Sequence, residues 1–507
     1  MKETRSKNAK RNIASGVLSS LLIFAINFAM RTAIIYVFNE KYLGLTSVYA
    51  SIISVLNIAE LGFSSAIIVS MYKPLAEDNN YMVCSLLSYY RKIYRIIGLT
   101  IILVGGIVFP FLPILVEDTQ LDGGNAYLLY LIYLCDAAMS YFLFSYKTAL
   151  ITAMQRFDIT KKVFILSNII KTTIQILAIF ILKNFYVYAF ALVFATVSNN
   201  LIINQISKTK YPQYRCKGEL SKSQIQDICK QVGGLAIGKV SMIARNSFDS
   251  VIISAYLGLT KVAIYNNYYT LYYSITNALW TITAAIQASV ANSIITEDIN
   301  KNYCDLRKFE FIFGWVISWC TCCFVCLYQP FMKLWVGERL MLSILDMILF
   351  SVYFYAISIN GVRNLYYDGN GLWWKGRIIS ILEAVSNLVL NIFLGKLIGV
   401  TGILFATIVT IILFNYVGFT NIVFKEYFRR SPKEFYCNRL LYTGVTFIIC
   451  FFSFYMTSII DGNSIGAFIL KFFACSFCAN AGMFILYKKN KQFKVSLSFV
   501  RKLILSK

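Results

Sequence analysis

Apolar residues in this chain run on for about 20 positions at a time, separated by short polar connections. A run of that length crosses a bilayer as a helix, whereas the strands of a membrane barrel would show short alternating segments. The runs predict helices over 12–37, 46–72, 93–116, 125–152, 162–183, 185–207, 229–257, 262–293, 309–332, 340–367, 377–395, 400–424, 440–460 and 464–487. That makes fourteen spans, and the expected fold class is an all-α polytopic membrane protein.

Composition agrees with the pattern. Of 507 residues, 58% are hydrophobic and only 14% are charged, against about 25% charged in an ordinary soluble chain. A formal net charge of +24 would suggest nucleic acid in a soluble protein. Here position explains it better. Basic residues gather at both ends of the chain and in alternate connections, such as Arg91, Lys92 and Arg95, then Lys208, Lys210, Arg215 and Lys217, then Lys425, Arg429 and Arg430. The intervening connections hold only Lys41, Lys183, Lys261, Lys333, Arg339 and Lys396. That asymmetry is the positive-inside signature, so both termini are expected in the cytoplasm and nucleic acid is not an expected partner. The first apolar run contains Arg31 and is too long for a cleaved signal, so it is expected to remain as the first helix. The cysteines at 320, 322, 323 and 326 do not share one helix face, and histidine is absent from the chain. They are expected to be apolar fillers, as are Cys475 and Cys478, with no metal and no cofactor.

The chain repeats itself. Tyr42-Leu43-Gly44-Leu45-Thr46-Ser47-Val48 matches Tyr256-Leu257-Gly258-Leu259-Thr260-Lys261-Val262 at six of seven positions. Arg31 and Arg245 precede these motifs by the same eleven residues, at a constant offset of 214. Lys147 and Arg363 form a second pair, at an offset of 216. The expected layout is a six-helix lobe over 1–207, a basic linker over 208–228, a second six-helix lobe over 229–424, and two further helices with a basic tail over 425–507. Six spans per lobe give both lobes the same orientation, so the two should be related by a pseudo-two-fold axis along the membrane normal.

Charges at membrane depth are the chemistry of this sequence, because each costs about 2.5–3.5 kcal/mol on insertion scales and so normally faces a bundle interior or water. Arg31, Arg245, Lys147 and Arg363 recur at repeat-related positions. They are the expected substrate-binding residues, a cationic cleft suited to an anion, for which the planar guanidinium fork favours phosphate. Glu60, Asp249 and Glu383 are the acids expected to couple to an ion, with a structural role as the alternative for each; Asp249 can also pair with Arg245 one turn earlier. Asp136, Lys171, Lys239 and Lys471 are further charges within the runs. Two tyrosine groups, at 127, 130 and 133 and at 265, 268, 269, 272 and 273, are either an interfacial belt or a stacking surface for sugars. Gly233 to Lys239 mimics a phosphate-binding loop but has Val240 where a hydroxyl should follow, so it is expected to be a helix-packing segment.

An arginine in the first helix, Tyr42-Leu43-Gly44 at its end, Glu60-Leu61-Gly62 in the second span and Met71-Tyr72-Lys73-Pro74-Leu75-Ala76-Glu77 after it resemble the polysaccharide transporters. These are the O-antigen and capsule-type flippases of the multidrug/oligosaccharidyl-lipid/polysaccharide exporter superfamily. The motifs lie mainly within 12–77 and 229–270. The resemblance implies two six-helix lobes around a central cavity, in a bacterial cytoplasmic membrane. It implies alternating-access transfer of an undecaprenyl-pyrophosphate-linked oligosaccharide to the outer leaflet for surface polysaccharide biosynthesis. Arg31 matches the functional first-helix arginine of the related lipid II flippases. The implied partners are the lipid-linked glycan, a proton or sodium ion, membrane lipids, and polysaccharide polymerase and ligase machinery. A drug/cation antiporter of the same superfamily would have a cavity dominated by acids. A membrane polymerase or glycosyltransferase would need a large external loop with carboxylates, and the one acidic external connection has only Glu117, Asp118 and Asp122. A transporter, not an enzyme, is therefore expected.

Overall fold

In the computed structural model, which describes residues 26–60, 62–116, 126–154, 156–462 and 464–505, helix follows helix and no strand forms among those residues. Each of the fourteen expected ranges falls on helix where its residues are described, several with interruptions. Eight helices are by themselves long and apolar enough to cross a membrane, and one bent pair makes a ninth, among the described residues. The longest of the eight contains two expected spans.

Contacts divide the chain into two units, Ile26–Ala263 and Ile264–Lys507. The division falls after the seventh expected span, not at the 208–228 connection. The first unit begins with α1 (Ile26–Val37), α2 (Glu40–Leu56), α3 (Phe63–Ala76), α4 (Asn80–Val108) and α5 (Leu112–Leu115). It continues with α6 (Ala126–Phe142), α7 (Tyr146–Ala153), α8 (Phe157–Phe180), α9 (Phe185–Lys210) and α10 (Lys222–Leu257). The second expected span is thus broken in two. A 3₁₀ turn over Asn57–Glu60 and Gly62 at φ +92° interrupt it, in the Glu60-Leu61-Gly62 motif itself. The fourth is bent by 50° between α6 and α7, where Phe144 takes φ +41°. α10 opens on a capping box in which Ser221 and Gln224 satisfy each other's backbone N–H groups. It then packs along α2.

The two copies of the seven-residue motif meet there. A Cβ on Gly44 would sit 2.2 Å from the Leu259 carbonyl oxygen, so only glycine lets these backbones approach. The copies fold differently all the same. Gly44 lies inside α2, whereas Gly258, at φ +82°, ends α10.

α11 (Leu259–Thr296) leads into the second unit, which contains α12 (Ile299–Val336), α13 (Ile344–Ser358), α14 (Gly361–Gly369) and α15 (Trp373–Thr410). α15 runs through the expected connection between spans eleven and twelve, but Ile398 and Gly399 are non-helical, with Gly399 at φ +64°. The chain reverses there. Gly402 lies so close to the Leu394 carbonyl that a Cβ would stand 2.2 Å from its oxygen. π-helical turns follow at Ile411–Gly418 and Phe424–Phe428, on either side of α16 (Phe419–Val423).

α17 (Lys433–Ser458), α18 (Ile465–Tyr487) and α19 (Lys491–Leu505) complete the chain. Both α17 and α18 pack on α12. The sequence expectation placed Arg439 in a connection ahead of the thirteenth span. The helix starts at Lys433 instead and buries Arg439, which pairs with Glu310 of α12 at 2.8 Å. The basic tail also folds. α19 lays Phe499 against Phe309, with the Lys308 ammonium 4.5 Å from the Phe499 ring.

Candidate functional site

The first unit presents its charges at separate levels. Arg31, half-buried in α1, lies near Tyr188 in the first turn of α9. Aromatic rings crowd the same end: Tyr42 is 4.6 Å from Phe185, and Phe185 stacks on Tyr188 at 5.0 Å. Lys147 sits in the first turn of α7, just past the 50° bend, and donates to Asn204 Oδ1 at 2.8 Å. Tyr188 and Asn204 are sixteen residues apart on α9, about 24 Å of helix. Arg31 and Lys147 therefore do not form one cluster. Between those levels, Thr196 donates to Asp136 at 2.6 Å, and Lys171 is the cation beside that carboxylate. Arg245 lies on α10, but its side chain, like that of Lys239, is outside the described residues, as is the acidic loop of Glu117, Asp118 and Asp122. Asp249, one turn later, is buried.

Glu60 occupies the break between α2 and α3, where the helical hydrogen-bond ladder is interrupted. Tyr94 donates to it at 2.9 Å, Tyr90 donates to Tyr94 at 2.5 Å, and Tyr141 donates to the neighbouring Asn57 at 3.1 Å. A carboxylate at the head of a buried hydroxyl chain can accept and pass a proton. The sequence identified Glu60 but not the tyrosines, which come from two other helices.

Around Lys147 the unit forms a cavity of about 500 Å³. Arg91, Lys208, Arg215, Lys217 and Tyr146 line it with Lys147. The sequence identified Lys147 alone. The other cations counted only as topology signals, because they come from α4, α9 and the 211–221 connection, which only the fold brings to the lysine.

Arg363 of the second unit also follows a break, between α13 and α14, so the Lys147/Arg363 pair is matched by an interruption just before each cation. Its surroundings differ. Arg363 is 1% exposed and donates to the Asn415 carbonyl at 2.6 Å and to the side-chain oxygens of Asn364, Asn415 and Asn360 at 2.7, 2.9 and 3.0 Å. Asn415 in turn donates to Glu383 at 3.2 Å. The first π-helical turn thus has one of its carbonyls and a side chain held by this arginine.

The tyrosine groups are core rather than a belt or an open sugar surface at Tyr130, Tyr265, Tyr268 and Tyr272, all of which are buried. Tyr268, for example, donates to Gln329 at 2.7 Å and accepts from the Leu342 N–H. Three of the cysteines come together in the fold. Cys322 and Cys326, one turn apart on α12, converge with Cys475 of α18, their three sulfurs within 4.8 Å of one another. Packing of α18 on α12, which a single helical wheel does not contain, creates this thiol cluster.

Residues 9–287 match the family model described as polysaccharide biosynthesis protein. Among solved structures, the chain resembles a multidrug resistance MATE family transporter of the MOP superfamily in an inward-facing conformation. The TM-score is 0.61 at 16% identity, over 78% of this chain and 92% of that one. It also resembles the lipid II flippase MurJ in an inward closed conformation, with TM-score 0.60 at 14% identity over 92% of this chain and 99% of that one. Such identities establish the fold alone. A comparison with curated protein sequences gives no match. The family match covers more than half of the 507 residues, and this multi-pass membrane chain, with the fold of the MOP-superfamily transporters, belongs to the polysaccharide biosynthesis protein family.

Proposed function

We propose that the protein is a flippase that moves an undecaprenyl-pyrophosphate-linked oligosaccharide from the cytoplasmic to the outer leaflet of a bacterial cytoplasmic membrane, with both termini in the cytoplasm. The observation that carries this reading is the family match over residues 9–287, on a fold shared along 92% of the chain with a lipid II flippase. The charge distribution supports it. The pyrophosphate is common to every cargo of this type, and Arg31 offers it a planar fork of donors. Arg245 is its proposed partner from the repeat. Lys147 would serve at the basic end, and Arg363 would act by holding the π-helical segment. The prenyl tail stays in lipid while the head crosses by alternating access. Glu60, with its tyrosine chain, is the proposed proton acceptor that drives the cycle; Glu383 and Asp249 are the other acids available for an ion. Polymerase and ligase machinery would take the product.

The test is surface delivery of the glycan, measured with the protein level in the membrane. Arg31→Ala should abolish delivery at normal protein level, and Arg31→Lys should restore part of it, because lysine keeps the charge but loses the bidentate geometry. Normal delivery by the Arg31→Ala/Arg245→Ala variant at normal level would overturn the reading in favour of a neutral or cationic cargo.

A further inference from the structure

We infer that the cavity around Lys147 is a binding pocket for a phosphate-bearing lipid headgroup. It lies at the basic end of the first unit and is built from four stretches of chain: α4, α7 with the bend before it, the last two turns of α9 and the connection to α10. Five cations face it, and no carboxylate is among the residues that line it. Lysines spread along loops to satisfy topology repel one another and point apart into water. Here the fold gathers them around one concavity instead, an arrangement that concentrates anions.

The walls are fixed, which distinguishes the pocket from a cluster of mobile surface lysines. The Arg215 N–H donates to Cys84 Sγ at 3.3 Å, and the Cys84 thiol donates to the Gln213 carbonyl at 3.6 Å, tying the connection to α4. Lys92 pairs with Glu219 at 3.4 Å just outside the cavity, and Gly218, at φ +90°, turns the chain against Ser85. On the inner side, Tyr146 is buried and contacts both Arg91 and Cys216. Arg91 and Lys147 are half-buried, and the bond to Asn204 aims the Lys147 ammonium while leaving it donors to spare. Lys208, Arg215 and Lys217 are exposed and form the mouth. Two half-buried cations with three exposed ones in front match a group that carries several anionic oxygens, and arginine binds such groups bidentately.

A pyrophosphate head of the proposed cargo and the headgroup of an anionic phospholipid share this chemistry. The inference deepens the flippase reading, as a place where the cargo head is held before it crosses, but the two can fail separately. The full-length protein is placed in phosphatidylcholine nanodiscs and titrated with farnesyl pyrophosphate, with short-chain phosphatidylglycerol and with farnesol. Two variants are compared with the parent: Arg91→Gln/Lys147→Gln, and Lys208→Gln/Arg215→Gln/Lys217→Gln, whose exposed side chains carry little folding cost.

Farnesyl pyrophosphate should bind well ahead of farnesol, lose affinity as salt rises, and bind about tenfold or more weakly to either variant. A loss confined to farnesyl pyrophosphate identifies the pyrophosphate head as the ligand, and a loss confined to phosphatidylglycerol identifies a phospholipid. Equal affinity of the parent and the triple variant for both phosphate ligands would overturn the pocket. Export that survives Arg31→Ala, with pocket binding intact, would instead reject the cargo reading and leave the pocket standing.

Discussion

Arg363 donates to three asparagines and lies 5.5 Å from the Phe419 ring, whereas Arg31 is half-buried in α1 near Tyr188 of α9. The same residue type, marked by the same argument in the sequence, therefore supports two different expectations. Arg363→Ala should leave its buried acceptors without a donor, at a cost of about 1–3 kcal/mol, and should lower the melting temperature in detergent. Arg31→Ala should leave melting unchanged while export falls. Equal melting shifts for both would merge the two roles. Gly44 makes a third residue-scale case. Gly44→Ala should push α2 away from the Leu259 carbonyl and destabilise the first unit by about 1–3 kcal/mol, again read as a drop in melting temperature. The repeat marked Gly44 as notable; only the backbone contact gives the reason.

Helices in this protein gain their character from what they pack against. α12 and α17 run alongside one another, with Tyr303 donating to Glu434 at 2.9 Å, Arg439 against Glu310 at 2.8 Å and Ser318 against Thr446 at 2.6 Å. The middle pair is 5% and 3% exposed, so removing one charge strands the other. Arg439→Ala alone should cost about 3–5 kcal/mol, and Glu310→Leu/Arg439→Met should recover much of that loss. Thermal unfolding of the two variants decides it: a double variant no more stable than Arg439→Ala would show that packing, not charge, holds the helices together. At the end of the second π-helical turn, Arg429 caps the segment at φ +52°. Arg429→Gly should stabilise the protein by about 1 kcal/mol, since glycine reaches that conformation without a Cβ penalty. Unchanged or lower melting would mean that the arginine side chain contributes more than its backbone strain costs.

For the whole molecule, the basic connections give a testable orientation. In a background freed of reactive native cysteines, Arg215→Cys and Lys433→Cys should be labelled from the cytoplasm, and Gln120→Cys and Asp461→Cys from outside. Labelling of positions 215 and 461 from the same side would rule out the proposed topology. The two contact units add a constraint that the repeat does not contain. α10 belongs with the first six spans through its packing along α2, although the seven-residue motif assigns it to the second copy.

The helical ranges and the repeated seven-residue motif were legible in the sequence because each rests on short-range physics. An apolar run of bilayer length has few folds open to it, and a motif repeated at a fixed offset survives as a string. The breaks at Glu60 and before Lys147 and Arg363 were not legible, because nothing local distinguishes a bent span from a straight one. Tertiary structure alone enclosed Arg363 among asparagines, brought three thiols together from two helices, paired Glu310 with Arg439, and gathered Arg91, Lys208, Arg215 and Lys217 around Lys147. Each of those outcomes depends on side chains far apart in the sequence, and burial, hydrogen bonding and charge at such sites are set by neighbours that only the folded chain supplies.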